Sequence, residues 1–257
     1  MSGRHAAVPT HGDMATARGP EPRGVLVGCS HGTRDPAGRA TVHALLAAVA
    51  EAAPALDVRE AFVDVQTPEV ATVVGDALAT SGPTVPVVVV PLLLSGGFHV
   101  HVDIAAAVRG TRALAAAPLG PDPRLVDLLV QRLAEAGTDR HDAVVLAAAG
   151  SSDPRSAAAV EEVARSLQER RSGPVTVGYG AGCAPTVPDA VAAARAEAAR
   201  VGSGSRAVIA SYLLAPGHFH DRLLTAGADV VTAPLGADAR LAAIVLDRHA
   251  EAVARTA

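Results

Sequence analysis

Two short stretches combine residue types that can handle a metal ion and protons. Ser30-His31-Gly32-Thr33 ends an apolar run, and Gly96-Gly97-Phe98-His99-Val100-His101-Val102-Asp103 ends another. A neutral imidazole is a ligand for Fe, Co or Ni and also a base near neutral pH, so His31, His99 and His101 are candidates for both tasks. The i, i+2 spacing of His99 and His101 points both one way in a strand and opposite ways in a helix, and the sequence does not choose. Asp64, at the end of Ala61-Phe62-Val63-Asp64, and Asp103 are placed to accept protons or orient an imidazole. Asp103 reads equally as a helix N-cap, and Asp35 before Pro36 as turn chemistry. Gly96 and Gly97 let the backbone turn tightly and a flat ligand approach.

These residues need a scaffold. Apolar runs at Gly24 to Cys29, Val58 to Asp64, Val87 to Leu94 and Arg112 to Ala117 read as strands, each leading through a loop into an Ala-rich amphipathic stretch. The helices expected are Ala37 to Ala53, Pro68 to Thr80, Asp103 to Gly110 and Asp122 to Ala136. The plan repeats with strands at Ala143 to Ala149, Val175 to Tyr179, Arg206 to Leu214 and Asp229 to Ala233. Helices follow at Pro154 to Arg171, Pro185 to Val201, His218 to Thr225 and Ala237 to Ala254. Alternation of this kind is an α/β fold with parallel sheets flanked by helices.

The repetition is also literal. Residues 117–125 recur as 233–241 with seven of nine positions the same, and Gly32-Thr33-Arg34-Asp35-Pro36 aligns with Gly150-Ser151-Ser152-Asp153-Pro154. Two collinear matches at nearly one spacing indicate internal duplication. The expected organisation is a disordered tail over 1–23, an N-terminal α/β domain over 24–138 that carries the active-site histidines, and a similar C-terminal domain over 142–257.

Ligands of open α/β sheets bind beyond the carboxyl ends of the strands, so the loops after the first and third strands of each half matter most. In the second half the position matching His31 is Ala149, and the later loop holds His218 and His220, second-rank candidates whose equivalence depends on gap placement. His43, His141 and His249 fall on expected helices or on the connection between the halves, and are expected at the surface.

Composition limits the partners. A net charge of -4 with no Lys/Arg cluster argues against nucleic acid. The longest strongly apolar run, Val87 to Leu94, is too short to cross a bilayer, and the leader has no apolar signal-like core. Two isolated cysteines, Cys29 and Cys183, fit a reducing cytoplasmic setting.

The runs Leu26-Val27-Gly28-Cys29-Ser30-His31-Gly32-Thr33-Arg34-Asp35-Pro36 and Pro91-Leu92-Leu93-Leu94-Ser95-Gly96-Gly97-Phe98-His99-Val100-His101-Val102-Asp103-Ile104 resemble those of the sirohydrochlorin chelatases, the CbiX/SirB branch of the class II chelatases. The resemblance covers about residues 24 to 256. It implies a bilobal fold and an ATP-independent lyase that inserts Fe(II), Co(II) or Ni(II) into sirohydrochlorin as two pyrrole protons leave. It carries the catalytic roles onto His31 and His99 and implies one active site per chain, because Ala149 replaces the histidine in the second half. Around these, His101 is a further metal candidate. Arg34, Leu93, Leu94, Ser95, Gly96, Gly97 and Phe98 are expected to hold the macrocycle, with Arg34 and Arg222 pairing to peripheral carboxylates. No prosthetic group is implied, and with both halves in one chain a monomer is expected. The lack of a His-rich tract favours iron, for sirohaem, over cobalt, for cobalamin. The alternative is a non-catalytic tetrapyrrole or metal carrier. A flavodoxin-like phosphate binder, suggested by the small-residue loops Ser151-Ser152 and Gly180-Ala181-Gly182, lacks a GxGxxG or P-loop pattern.

Overall fold

The computed structural model describes residues 23–96, 98–201 and 205–256, the side chains of 98–101 and 201 excepted. All but the last residue of the expected tail therefore lies outside the described residues. Strands and helices alternate in the first half as β1 (Gly24–Ser30), α1 (Pro36–Ala52), β2 (Leu56–Phe62), α2 (Val70–Thr80), β3 (Val87–Pro91), α3 (Phe98–Val108), β4 (Leu114–Ala115) and α4 (Pro123–Glu135). The second half follows as β5 (Ala143–Ala148), α5 (Pro154–Gln168), β6 (Val175–Tyr179), α6 (Val187–Val201), β7 (Ala207–Tyr212), α7 (His218–Leu224), β8 (Val230–Val231) and α8 (Ala239–Ala254).

Local chemistry sets many of these bounds. Asp35, Asp122, Asp153 and Asp238 each accept a bond from a backbone N–H of the first helical turn, and a proline follows three of them at the start of the helix. Three expected starts are corrected. Pro68 and Pro185 precede their helices, because their carbonyls accept from the N–H groups of Phe62 and Tyr179 and so prolong the strand edges. Asp103 lies inside α3, which opens at Phe98, so it is no N-cap.

The sheets are parallel, in the orders β2-β1-β3-β4 and β6-β5-β7-β8. β1, β3, β5 and β7 are buried along their whole length, as expected for strands covered by helices on both faces. On the outer face of the first sheet, Val25, Val27 and Val89 pack with Val73 of α2 and Ile104 of α3. The outer face of the second sheet packs with α6 and α7 in the same way.

The inner faces hold a feature that the repeat does not announce. α8 packs against α1, β3 and β4 of the first half, while α4 packs against α5 and β7 of the second. The last helix of each half thus covers the other half's sheet, and one apolar cluster from Leu26 and Leu45 to Leu146 and Ile244 joins the two. The exchange buries His249 on α8, against expectation, with Nε2 lacking a hydrogen-bond partner among the described residues. A side chain at Gly24 would meet that ring at 3.5 Å.

Candidate active site

In each sheet the chain leaves its first strand toward one side and returns to the other, so the order reverses between β1 and β3 and between β5 and β7. The carboxyl ends beside such a reversal form a crevice. His31 lies on the loop beyond β1. Its backbone is pinned: the carbonyls of Ser30 and His31 accept from the N–H groups of Val63 and Asp64, each at 3.1 Å. Gly32 has φ +94, and a Cβ there would fall 2.3 Å from the Asp64 carbonyl oxygen. The Thr33 N–H donates to Gln66 Oε1 at 2.8 Å, and Asp35 caps α1. On this fixed loop the His31 side chain is exposed and has no bonding partner among the described residues. Arg34, also exposed, makes no ion pair among them.

Asp64 stands beside this loop with an exposed carboxylate that accepts from the Val65 N–H at 2.7 Å. Val65 itself has φ +64, a left-handed conformation that a β-branched residue adopts only under strain.

The neighbouring loop leaves β3, whose Pro91 pairs with Cys29 of β1. The Leu93 carbonyl accepts from Leu119, the Leu94 carbonyl from Tyr212 Oη of the second half, and Ser95 Oγ from Ser156 Oγ at 3.1 Å. Leu94 belongs to the core shared by the halves, and Leu93 packs half-buried against the outer cluster. A Cβ at Gly96 would meet only Pro118 at 3.8 Å, so steric crowding does not require a glycine there. Gly97 lies outside the described residues. Phe98, His99 and His101 are in the opening turns of α3, and their side chains lie outside the description too. Asp103 is exposed on the same helix, close enough to Cys29 for its charge to act there. Burial first, and Asp103 second, push the Cys29 thiol up to about 12, so it stays protonated.

The second half repeats this framework with other side chains. The carbonyls of Ala148 and Ala149 accept from Gly180 and Ala181, and Gly150 has φ +85, which makes Ala149 the counterpart of His31. Leu213 matches Leu93, since its carbonyl accepts from Leu235 as that of Leu93 accepts from Leu119. α3 and α7 each open five residues later, at Phe98 and His218, so the counterpart of His99 is Phe219 rather than either nearby histidine. His220 Nε2 lies 3.2 Å from the Thr232 carbonyl, whereas His218 is exposed, edge-on to Phe219 at 5.9 Å between ring centroids.

The two halves meet at these loops. A side chain at Gly38 on α1 would strike the Pro216 carbonyl at 2.6 Å, and one at Gly217 would lie 3.4 Å from Thr33 Oγ1. Ser95 and Ser156 make the corresponding contact on the other side.

The sequence profile of one family, CbiX, matches residues 25–136 and matches again over 143–252. The chain belongs to the CbiX family. Its sequence is 34% identical over 91 residues to the sirohydrochlorin ferrochelatase of Priestia megaterium, an alignment that covers 32% of this chain and 34% of that protein. The chain thus spans about a third of that relative's length. Its fold is similar to SirB from Bacillus subtilis with Fe3+, at a TM-score of 0.74 and 22% identity over 90% of this chain and 96% of that one. It is also similar to the sirohydrochlorin chelatase SirB from Bacillus subtilis subspecies spizizenii in complex with cobalt, at 0.66 and 21% over 89% and 94%. For CbiX, the terminal enzyme for biosynthesis of siroheme in denitrifying bacteria, the values are 0.59 and 22% over 90% and 99%. At these identities the likeness is one of fold.

Within the CbiX framework the two crevices differ in chemistry. The first presents the exposed side chain of His31, unpartnered among the described residues, on a loop bonded through its backbone to Asp64. The second has a methyl group and a phenyl ring at the positions of His31 and His99. Among the described residues no helix is long and apolar enough to cross a membrane.

Proposed function

We propose that this CbiX-family chain inserts a divalent metal ion into sirohydrochlorin, as an ATP-independent lyase that releases two pyrrole protons. The observation that carries the reading is His31, an exposed imidazole without a partner among the described residues, on a loop whose backbone is fixed, beside the β1/β3 reversal. A base held in place but left free to ligate suits a metal that must be taken up and passed on. The name of the Priestia megaterium relative and the iron and cobalt in the SirB structures support the substrate class.

In this scheme His31 and His99 deliver the metal and accept the protons, and His101 is an additional ligand candidate. Asp64 and Asp103 relay protons or orient an imidazole. Arg34 pairs with a carboxylate at the rim of the macrocycle, while Leu93, Leu94, Ser95, Gly96 and Gly97, with Phe98 at the start of α3, are the residues against which the ring lies. His218 and His220 are secondary, His220 being tied to a backbone carbonyl. Iron is the favoured metal, with cobalt and nickel chemically acceptable to the same imidazoles. The site belongs to a monomer acting in the cytoplasm.

An anaerobic absorbance assay with excess sirohydrochlorin and Fe2+, Co2+ or Ni2+ in turn tests the proposal. Many turnovers per chain are expected, fastest with Fe2+. A spectral change that stops at one equivalent per chain identifies a carrier instead.

A further inference from the structure

Phe219 stands where the second half would need its counterpart of His99, and its surroundings are unlike those of the other described aromatic side chains. It is 39% exposed, whereas Phe62 and Tyr179 are each 4% exposed and Tyr212 2%. An exposed ring is no signal by itself, and Val65, Val102 and Leu224 are exposed too; what sets Phe219 apart is its place at the ligand-binding edge of a sheet. One side of the ring rests on Gly180, where a Cβ would fall 2.9 Å from Phe219 Cδ1 and 3.2 Å from the Ala149 carbonyl oxygen. The ring and the backbone of Ala149, the counterpart of His31, thus both border Gly180.

Arg222 follows three residues later, on the same side of α7. Its Nη1 donates to the Gly180 carbonyl at 3.3 Å, and no carboxylate pairs with it among the described residues. Gly180 thus seats the phenyl ring and also anchors the guanidinium, whose other donors have no partner among the described residues. An apolar face beside an uncommitted guanidinium complements a flat macrocycle edged by carboxylates. A Cβ at the adjoining Gly217 would lie 3.4 Å from Thr33 Oγ1 and 3.6 Å from Asp35 Cβ, which brings this surface near the loop that carries His31.

We propose that Phe219 and Arg222 are the second half's seat for the tetrapyrrole: the ring lies against a face of the macrocycle and the guanidinium holds a peripheral carboxylate. The second half then adds affinity to that supplied by Arg34 and the loop after β3, while metal and proton chemistry stays with the first. The proposal rests on the chelatase reading given above. Sirohydrochlorin binding without metal, followed by its absorbance, and steady-state kinetics are measured on the full chain with Phe219→Ala, Phe219→Tyr, Arg222→Gln and Arg222→Lys. Phe219→Ala is expected to raise both Kd and KM about tenfold with kcat within a factor of two, and Phe219→Tyr to restore them. Arg222→Gln is expected to weaken binding at low salt more than at high salt, with partial rescue by Arg222→Lys. Arg222 is exposed, so its variants test the seat even if Phe219→Ala unfolds. Unchanged Kd and KM in Phe219→Ala and Arg222→Gln, or a loss confined to kcat, overturn the proposal while wild-type turnover leaves the chelatase reading intact. A wild-type chain that binds no sirohydrochlorin overturns both.

Discussion

Arg132 and Arg248, separated by 116 residues, reach across the molecule in opposite directions. Arg132 Nη2 donates to the Leu235 carbonyl at 2.8 Å, and Arg248 Nη2 to the Leu119 carbonyl at 3.2 Å. Each arginine sits on a helix that covers the other half's sheet, and each clamps the loop by which the chain crosses over. The reciprocity shows that the halves complete each other's cores.

A fragment of residues 24–138 should therefore not persist as a folded monomer, because without α8 the inner faces of α1, β3 and β4 lose their cover. Two copies can exchange α4 in its place, so a homodimer is the expected folded form. Light scattering of the purified fragment checks this, and a stable monomer would contradict the exchanged packing.

The His31 loop gives a second prediction. Gly32→Ala adds a Cβ that meets the Asp64 carbonyl at 2.3 Å in a left-handed backbone, so the loop must shift. A loss of about 1–3 kcal/mol in unfolding free energy is expected, with a fall in activity as His31 moves from Asp64. Gly110→Ala is the control: φ is +71, yet nothing lies within 4 Å of the new atom, so only the smaller conformational cost should appear. Urea denaturation of both variants separates clash from backbone preference.

A third prediction concerns acid stability. Burial lowers the affinity of His249 for a proton below its ordinary value of 6.5, an effect partly offset by the Val25 backbone. The unfolded chain therefore binds a proton at this position before the folded one does. Its contribution is fully present above about pH 6.5 and is lost as pH falls through that value toward the depressed one. His249→Leu should flatten the decline in melting temperature between about pH 7 and pH 5 relative to wild type. An equally steep decline in the variant would exclude His249 as its source.

The strands, most helices and the duplication were legible because a buried parallel sheet needs continuous apolar runs, and Asp-Pro pairs mark helix starts. The exchange of α4 and α8 was not, since an amphipathic helix shows that it covers a sheet without showing which. The same blindness made His249 look like a surface residue. Pro68 and Pro185 misled because their role is to extend a strand edge through their carbonyls, which no local pattern reveals. At the site, the counterpart of His31 could be read from the Gly-x-x-Asp-Pro frame shared at Gly32 and Gly150. The counterpart of His99 could not: the second half is two residues longer before α7 than one common spacing allows, and only the backbone bonds at Leu93 and Leu213 fix the count. That phase identifies Phe219, between two histidines that invite the wrong alignment.

The central claim is that the first half's imidazoles perform the chemistry. Its most direct test is the initial rate of metal insertion into sirohydrochlorin by purified, folded His31→Ala and His99→Ala chains. A fall of about a hundredfold or more is expected for each, the scale on which a positioned proton-transfer group acts. Wild-type rates in both variants would contradict the account.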